Sequence, residues 1–184
     1  FITYNISGDN MTKKLFKLDI IGFVFVSILG TLSHFFYEWS GESTAVGLFT
    51  PINESVWEHL KLIFFPFLIW SIVQAIIMKR GNILFPKFVG VIVGMSATLS
   101  FFYTYTGTIG KNIDWLNILS FFVGVFIAFL VDYVIIKSDK LQNKTATVIA
   151  IILFGAMSAI FILFTFAAPL IPLFKDPITS SYGI

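Results

Sequence analysis

The stretch TATVIAIILFGAMSAIFILFTFAAPLIPLF, residues 145–174, runs for thirty residues without a charge. A helix needs about 20 predominantly apolar residues to cross the hydrocarbon core of a bilayer, within a range of roughly 17–25. In lipid only helices and closed barrels satisfy every backbone N–H and C=O. The run is continuous rather than alternating, so it reads as a helix, with Pro169 and Pro172 near its end. Four more runs of this kind precede it. The spans are expected at about 18–37, 60–79, 86–108, 114–136 and 145–173. The fold class is therefore all-α, an integral membrane bundle of five transmembrane helices.

Composition agrees. Of the 184 residues, 57% are hydrophobic and 12% charged, and the mean hydropathy is +0.91; a soluble domain carries roughly 25% charged residues. The length suits a single domain. A net charge of +2 is too small to indicate nucleic acid as a partner; the partner that composition points to is membrane lipid. The absence of cysteine excludes disulfides, thiol catalysis and cysteine metal sites. Residues 1–10 are polar and precede Met11, and they read as a non-native or disordered extension of a domain spanning 11–184. The first apolar run is too long for a signal-peptide core, and no small-residue cleavage site follows it.

Basic residues set the orientation, because cytoplasmic loops are enriched in Lys and Arg. With the N-terminus inside, Lys13, Lys14, Lys17, Lys79, Arg80, Lys87, Lys137, Lys140 and Lys144 fall on the inner side. Lys61, Lys111 and Lys175 fall outside. The expected topology is N-in/C-out in the cytoplasmic membrane of a bacterial cell. Small residues recur on helix stripes that suit close packing in lipid: Gly90 and Gly94; Ser120, Gly124 and Ala128; Gly155 and Ala159. Gly90/Gly94 is also a candidate face for a homo-oligomer.

Polar chemistry concentrates in the outer segment Thr50-Pro51-Ile52-Asn53-Glu54-Ser55-Val56-Trp57-Glu58-His59-Leu60-Lys61. A helix starts here, either with Thr50 as cap and Pro51 at the first helical position or with Ser55-x-x-Glu58 as a capping box. In a continuous helix Glu54, Trp57, Glu58 and Lys61 share one face, and His59 points about 100° from Glu58. Each residue has a structural role open to it: Glu54 against the helix dipole, Trp57 in an interfacial belt, Glu58 in the cap. His34 and Glu38 lie one turn apart at the end of the first span. An ionisable group inside a span is a functional candidate by default, though a histidine there can also simply hydrogen-bond a neighbouring helix.

His34, Glu38, Glu54, Glu58 and His59 thus form a nitrogen and oxygen set on one membrane side, compatible with zinc or another divalent metal, while no HExxH motif is present. Asn53, Trp57 and Lys61 are expected to line the same pocket. The polar tail 176–184 is expected to fold over it, with Asp176 or Tyr182 touching the motif. Asp132 either belongs to an ion path or reaches the inner interface beside Lys137.

His34-Phe35-Phe36-Tyr37-Glu38-Trp39-Ser40-Gly41, the motif from Pro51 to Lys61 and the ending Asp176-Pro177…Tyr182-Gly183-Ile184 together resemble an uncharacterised family of small multispanning bacterial integral membrane proteins. The resemblance implies fold and localisation and supplies no activity. The readings that follow are binding of a small ligand or divalent cation at an outward-facing pocket, in transport or otherwise; a membrane-embedded metal- or Glu/His-dependent enzyme acting on a lipid or envelope substrate; and a non-catalytic subunit of a membrane complex.

Overall fold

The computed structural model describes residues 2–184, with side chains from Asn10 onward; the reading of residues 1–10 as an extension falls almost wholly outside the described side chains. Among the described residues seven α-helices follow one another: α1 (Ile2–Trp39), α2 (Thr44–Gly47), α3 (Val56–His59), α4 (Lys61–Met78), α5 (Leu84–Ile109), α6 (Asp114–Lys137) and α7 (Lys144–Phe166). Short 3₁₀ turns occupy Gly81–Ile83 and Pro172–Phe174. Among the described residues the only strand-like pairing is one bridge between Lys175 and Tyr182. Five segments among the described residues are long and apolar enough to cross a membrane: Asn10–Trp39, Val56–Met78, Gly81–Ile109, Asp114–Lys137 and Lys144–Phe166.

The helix of the fifth span, α7, stops at Phe166, short of the expected 173. Pro169 has no N–H to donate and disfavours helical geometry in the residue before it. The apolar run therefore continues as an irregular segment into the Pro172 turn. The second span begins as the single turn α3, which passes through Leu60 into α4.

The most extensive helix pairing is α5 against α6, and it depends on glycine. A Cβ at Gly94 would stand 2.5 Å from the Gly124 carbonyl oxygen, and one at Gly90 would stand 2.6 Å from that of Ala128. The face considered for a second copy is thus covered within the chain by α6. Gly155, by contrast, meets nothing within 4 Å, and its stripe does not serve the bundle. Gly94→Val should cost about 1–3 kcal/mol as an overpacked core substitution, seen as a lowered melting temperature in detergent, whereas Gly155→Val should leave it unchanged.

Phenylalanine fills the centre. Phe64, Phe67 and Phe161 are fully buried, and Trp57 packs between Phe161 and Phe174 with ring centroids 4.8 Å from each. This cluster ties α3 to the end of α7 and to the tail. The tail is held again where the Ile184 N–H donates to the Thr165 carbonyl (2.8 Å).

Candidate metal centre

Local turn chemistry places the candidate ligands. The Asn53 side-chain oxygen accepts from the Ser55 N–H (3.0 Å), an Asx-type turn that competes with helix. Ser55 then caps α3, its hydroxyl accepting from the Glu58 N–H (3.3 Å). Glu54 is consequently left ahead of the helix, where its side chain swings toward α1. His59, the last residue of α3, lies with Nδ1 2.9 Å from the Ser55 carbonyl oxygen. A carbonyl only accepts, so Nδ1 carries the proton and the neutral ring presents Nε2 as a lone pair.

His34 on α1 meets that lone pair, Nε2 to Nε2 at 3.2 Å. Glu54 closes the triangle, with Oε2 3.3 Å from His59 Nε2 and Oε1 3.6 Å from His34 Nε2. These three residues form the group with metal-ligating geometry among the described residues. Tetrahedral zinc with bonds of about 2.0–2.1 Å holds its donors roughly 3.3–3.4 Å apart; the two imidazole nitrogens stand close to that spacing, and with one Glu54 oxygen all three donors lie within 4.8 Å of one another. The three side chains are 34%, 31% and 43% exposed, which leaves the fourth corner accessible.

With both rings neutral, the triangle contains at most the single Nε2–H of His34, facing a carboxylate oxygen and the bare Nε2 of His59. Two acceptors are then left opposed. A second proton or a cation relieves them. When both rings carry an Nε2 proton, hydrogen bonds from His34 and His59 hold Glu54 below the usual carboxylate range, outweighing the opposing effect of its partial burial.

The other predicted residues do different work. Glu58 is buried, and its Oε2 accepts from the Ile52 N–H (3.1 Å) and from Lys61 Nζ (2.7 Å). Only half of the capping box forms, because this carboxylate does not turn back to Ser55. Lys61 is wholly buried instead of lining a rim. It also donates to the Gly47 carbonyl (2.9 Å) and the Thr165 hydroxyl (2.7 Å), joining the α2 loop, α4 and α7. Trp57 belongs to the aromatic core, with its indole N–H buried and unpartnered. Glu38 is exposed and outside the triangle. Asp176 turns inward on the tail, accepting from the Ile178 N–H (3.0 Å) and the Thr179 hydroxyl (2.5 Å), and Tyr182 pairs with Lys175. Thr165, which sequence reading passed over, is a buried partner of the motif lysine.

The tail nevertheless reaches the centre's surroundings. A cleft of about 510 Å³ adjoins Glu54 and His59, with Tyr103, Asn112 and Asn117 on one side and Lys175 and Ile178 on the other.

Fold and site together define a class: a helical bundle with five candidate membrane spans and a two-histidine, one-carboxylate cluster at one end. The chain belongs to the family of unknown function DUF6512, which matches residues 7–184. No curated protein and no solved structure matches it.

Proposed function

We propose that this chain is a multispanning protein of a bacterial cell membrane, N-in/C-out, that binds one divalent transition metal such as zinc at His34, Glu54 and His59 on the outer face. The triangle of facing donor atoms carries this reading. Two imidazoles favour zinc or another first-row metal over magnesium or calcium, which prefer oxygen. The Ser55 carbonyl on His59 Nδ1 is the kind of outer partner that orients a metal-bound imidazole. The orientation rests on the lysine bias. Lys61 and Lys87 are buried and so drop out of the count, leaving eight bases inside and two outside. Elemental analysis of the detergent-purified protein tests the reading: one equivalent of metal per chain is expected, and a metal-free protein that also fails to take up zinc would remove it.

Metal uptake should depend on pH in a defined direction. Both Nε2 atoms must be free of protons to bind metal, so apparent zinc affinity should fall as pH is lowered. Glu54, held below the usual carboxylate range, stays ionised in mild acid, and its own contribution is lost only when pH falls through its depressed value. Zinc titrations at a series of pH values check this; an affinity unchanged between neutral and mildly acidic pH would contradict it.

A second reading is favoured by the accessible fourth corner beside the cleft. Structural zinc sites close with four protein ligands, whereas catalytic ones keep three and a water. A metal-bound water in this position would suit hydrolysis of a membrane-borne ester. Metal-dependent release of product from lipid vesicles separates it from simple metal binding.

A further inference from the structure

Away from the metal triangle, near the opposite end of the bundle, a second polar centre lies wholly inside apolar surroundings. Lys87 of α5 reaches Asp132 Oδ2 of α6 at 2.5 Å and Asp19 Oδ1 of α1 at 3.1 Å. Gln74 of α4 donates from Nε2 to the same Asp19 oxygen at 2.7 Å. Lys87, Asp132 and Gln74 are fully buried and Asp19 nearly so. The rings of Phe67 and Phe129 flank the ammonium, with centroids 5.4 Å and 4.8 Å away. Asp132 therefore does not reach out to the interface beside Lys137; it faces Lys87.

The charges that meet there do not balance. Asp19 from α1 and Asp132 from α6 are two carboxylates, Lys87 from α5 is one ammonium, and α4 contributes the neutral Gln74. With every group in its ordinary ionisation state the centre carries one net negative charge, which is costly to keep away from water unless it is neutralised. The hydrogen bonding is unbalanced in the same sense. Asp19 Oδ2, Asp132 Oδ1 and Gln74 Oε1 are buried acceptors without a donor, and Asp132 Oδ2 meets Lys87 as an ion pair without hydrogen-bond alignment. Both imbalances call for one additional positive charge that also donates a hydrogen bond.

We propose that the Asp19–Gln74–Lys87–Asp132 centre is a proton-binding site, with one exchangeable proton held on its pair of carboxylates. The proton adds to a carboxylate oxygen to give a neutral acid, whose O–H then supplies a buried acceptor with its missing donor. A sodium ion answers the charge but not the geometry. The ammonium already sits between the carboxylates, and a second cation coordinating them would be repelled by it at close range. A proton requires no cavity and adds the needed donor. Ionisable groups inside a membrane bundle are expensive and commonly mark proton or ion routes. Here they join α1, α4, α5 and α6, so the proton-binding site bridges four of the five candidate spans.

Infrared spectroscopy of the purified full chain in lipid nanodiscs tests the proposal. At neutral pH the parent should show the C=O stretch of one protonated carboxyl per chain, shifted in heavy water and the same in sodium and potassium buffers. Asp19→Asn and Asp132→Asn each leave one carboxylate opposite Lys87, and each should abolish the band. Lys87→Gln removes the ammonium and should raise the signal to two carboxyls per chain. No protonated carboxyl in the parent, or a band that survives in both asparagine variants, would overturn the proposal. A band that appears only when sodium is removed would overturn it too, by making sodium the occupant. The parent spectrum decides even where a variant fails to fold.

Discussion

Replacing His59 by alanine should lower the affinity for zinc by more than about 100-fold. Loss of a residue that merely orients a metal ligand costs about 10–100-fold, and His59 is a ligand itself in the proposed site, with Nε2 3.2 Å from that of His34 and 3.3 Å from Glu54. His34→Ala should match it, since either change leaves one imidazole and one carboxylate. Glu54→Gln should weaken binding by less, because an amide oxygen keeps the position without the charge. Glu38→Gln should have no effect, as Glu38 lies outside the triangle. Competition against a chromophoric chelator in detergent measures all four. Equal affinity in the parent and the His59 variant would show that zinc, if bound, sits elsewhere.

The second large effect belongs to stability. Lys61→Met should destabilise the protein by about 3–5 kcal/mol, the cost of breaking a buried ion pair and leaving one charge uncompensated. Glu58 is 3% exposed and Lys61 0%, so neither carboxylate nor ammonium can turn to water for compensation. The lysine also holds the Gly47 carbonyl and the Thr165 hydroxyl, so its loss frees the α2 loop from α7. Adding Glu58→Gln to Lys61→Met should recover part of the loss, because the stranded charge disappears while the amide can still accept from the Ile52 N–H. Denaturation in detergent reads both variants. Full stability of the single variant would mean that the pair is not buried as described.

The helices were legible in the sequence because lipid-length apolar runs interrupted by charge leave few alternatives. The end of α7 was less so. A hydropathy reading continued to residue 173 on apolar character alone, while the backbone had already left the helix ahead of Pro169. The candidate site was legible as a neighbourhood and not as a constellation. His34 and His59 stand 25 positions apart, and only the packing of α1 against α4, which continues from α3, makes their Nε2 atoms face one another. Glu54 and Glu58 were interchangeable on a helical wheel. The Asn53 turn and the Ser55 cap separate them, sending one to the histidines and the other to Lys61. Lys61 and Lys87 both enter the charge count as loop bases, and Lys61 is also expected at the pocket, yet both side chains are buried. Lys87 closes up against Asp19 and Asp132, a grouping that no spacing rule connects because its members come from α1, α4, α5 and α6.

X-ray absorption at the zinc edge of the zinc-loaded protein in detergent is the most direct test of the central claim. The expected spectrum is that of four nitrogen or oxygen donors at about 2.0–2.1 Å, with the multiple scattering of two imidazoles, one of which disappears in His59→Ala. A six-coordinate shell of oxygen donors without imidazole scattering would contradict the assignment of His34, Glu54 and His59 as the metal site.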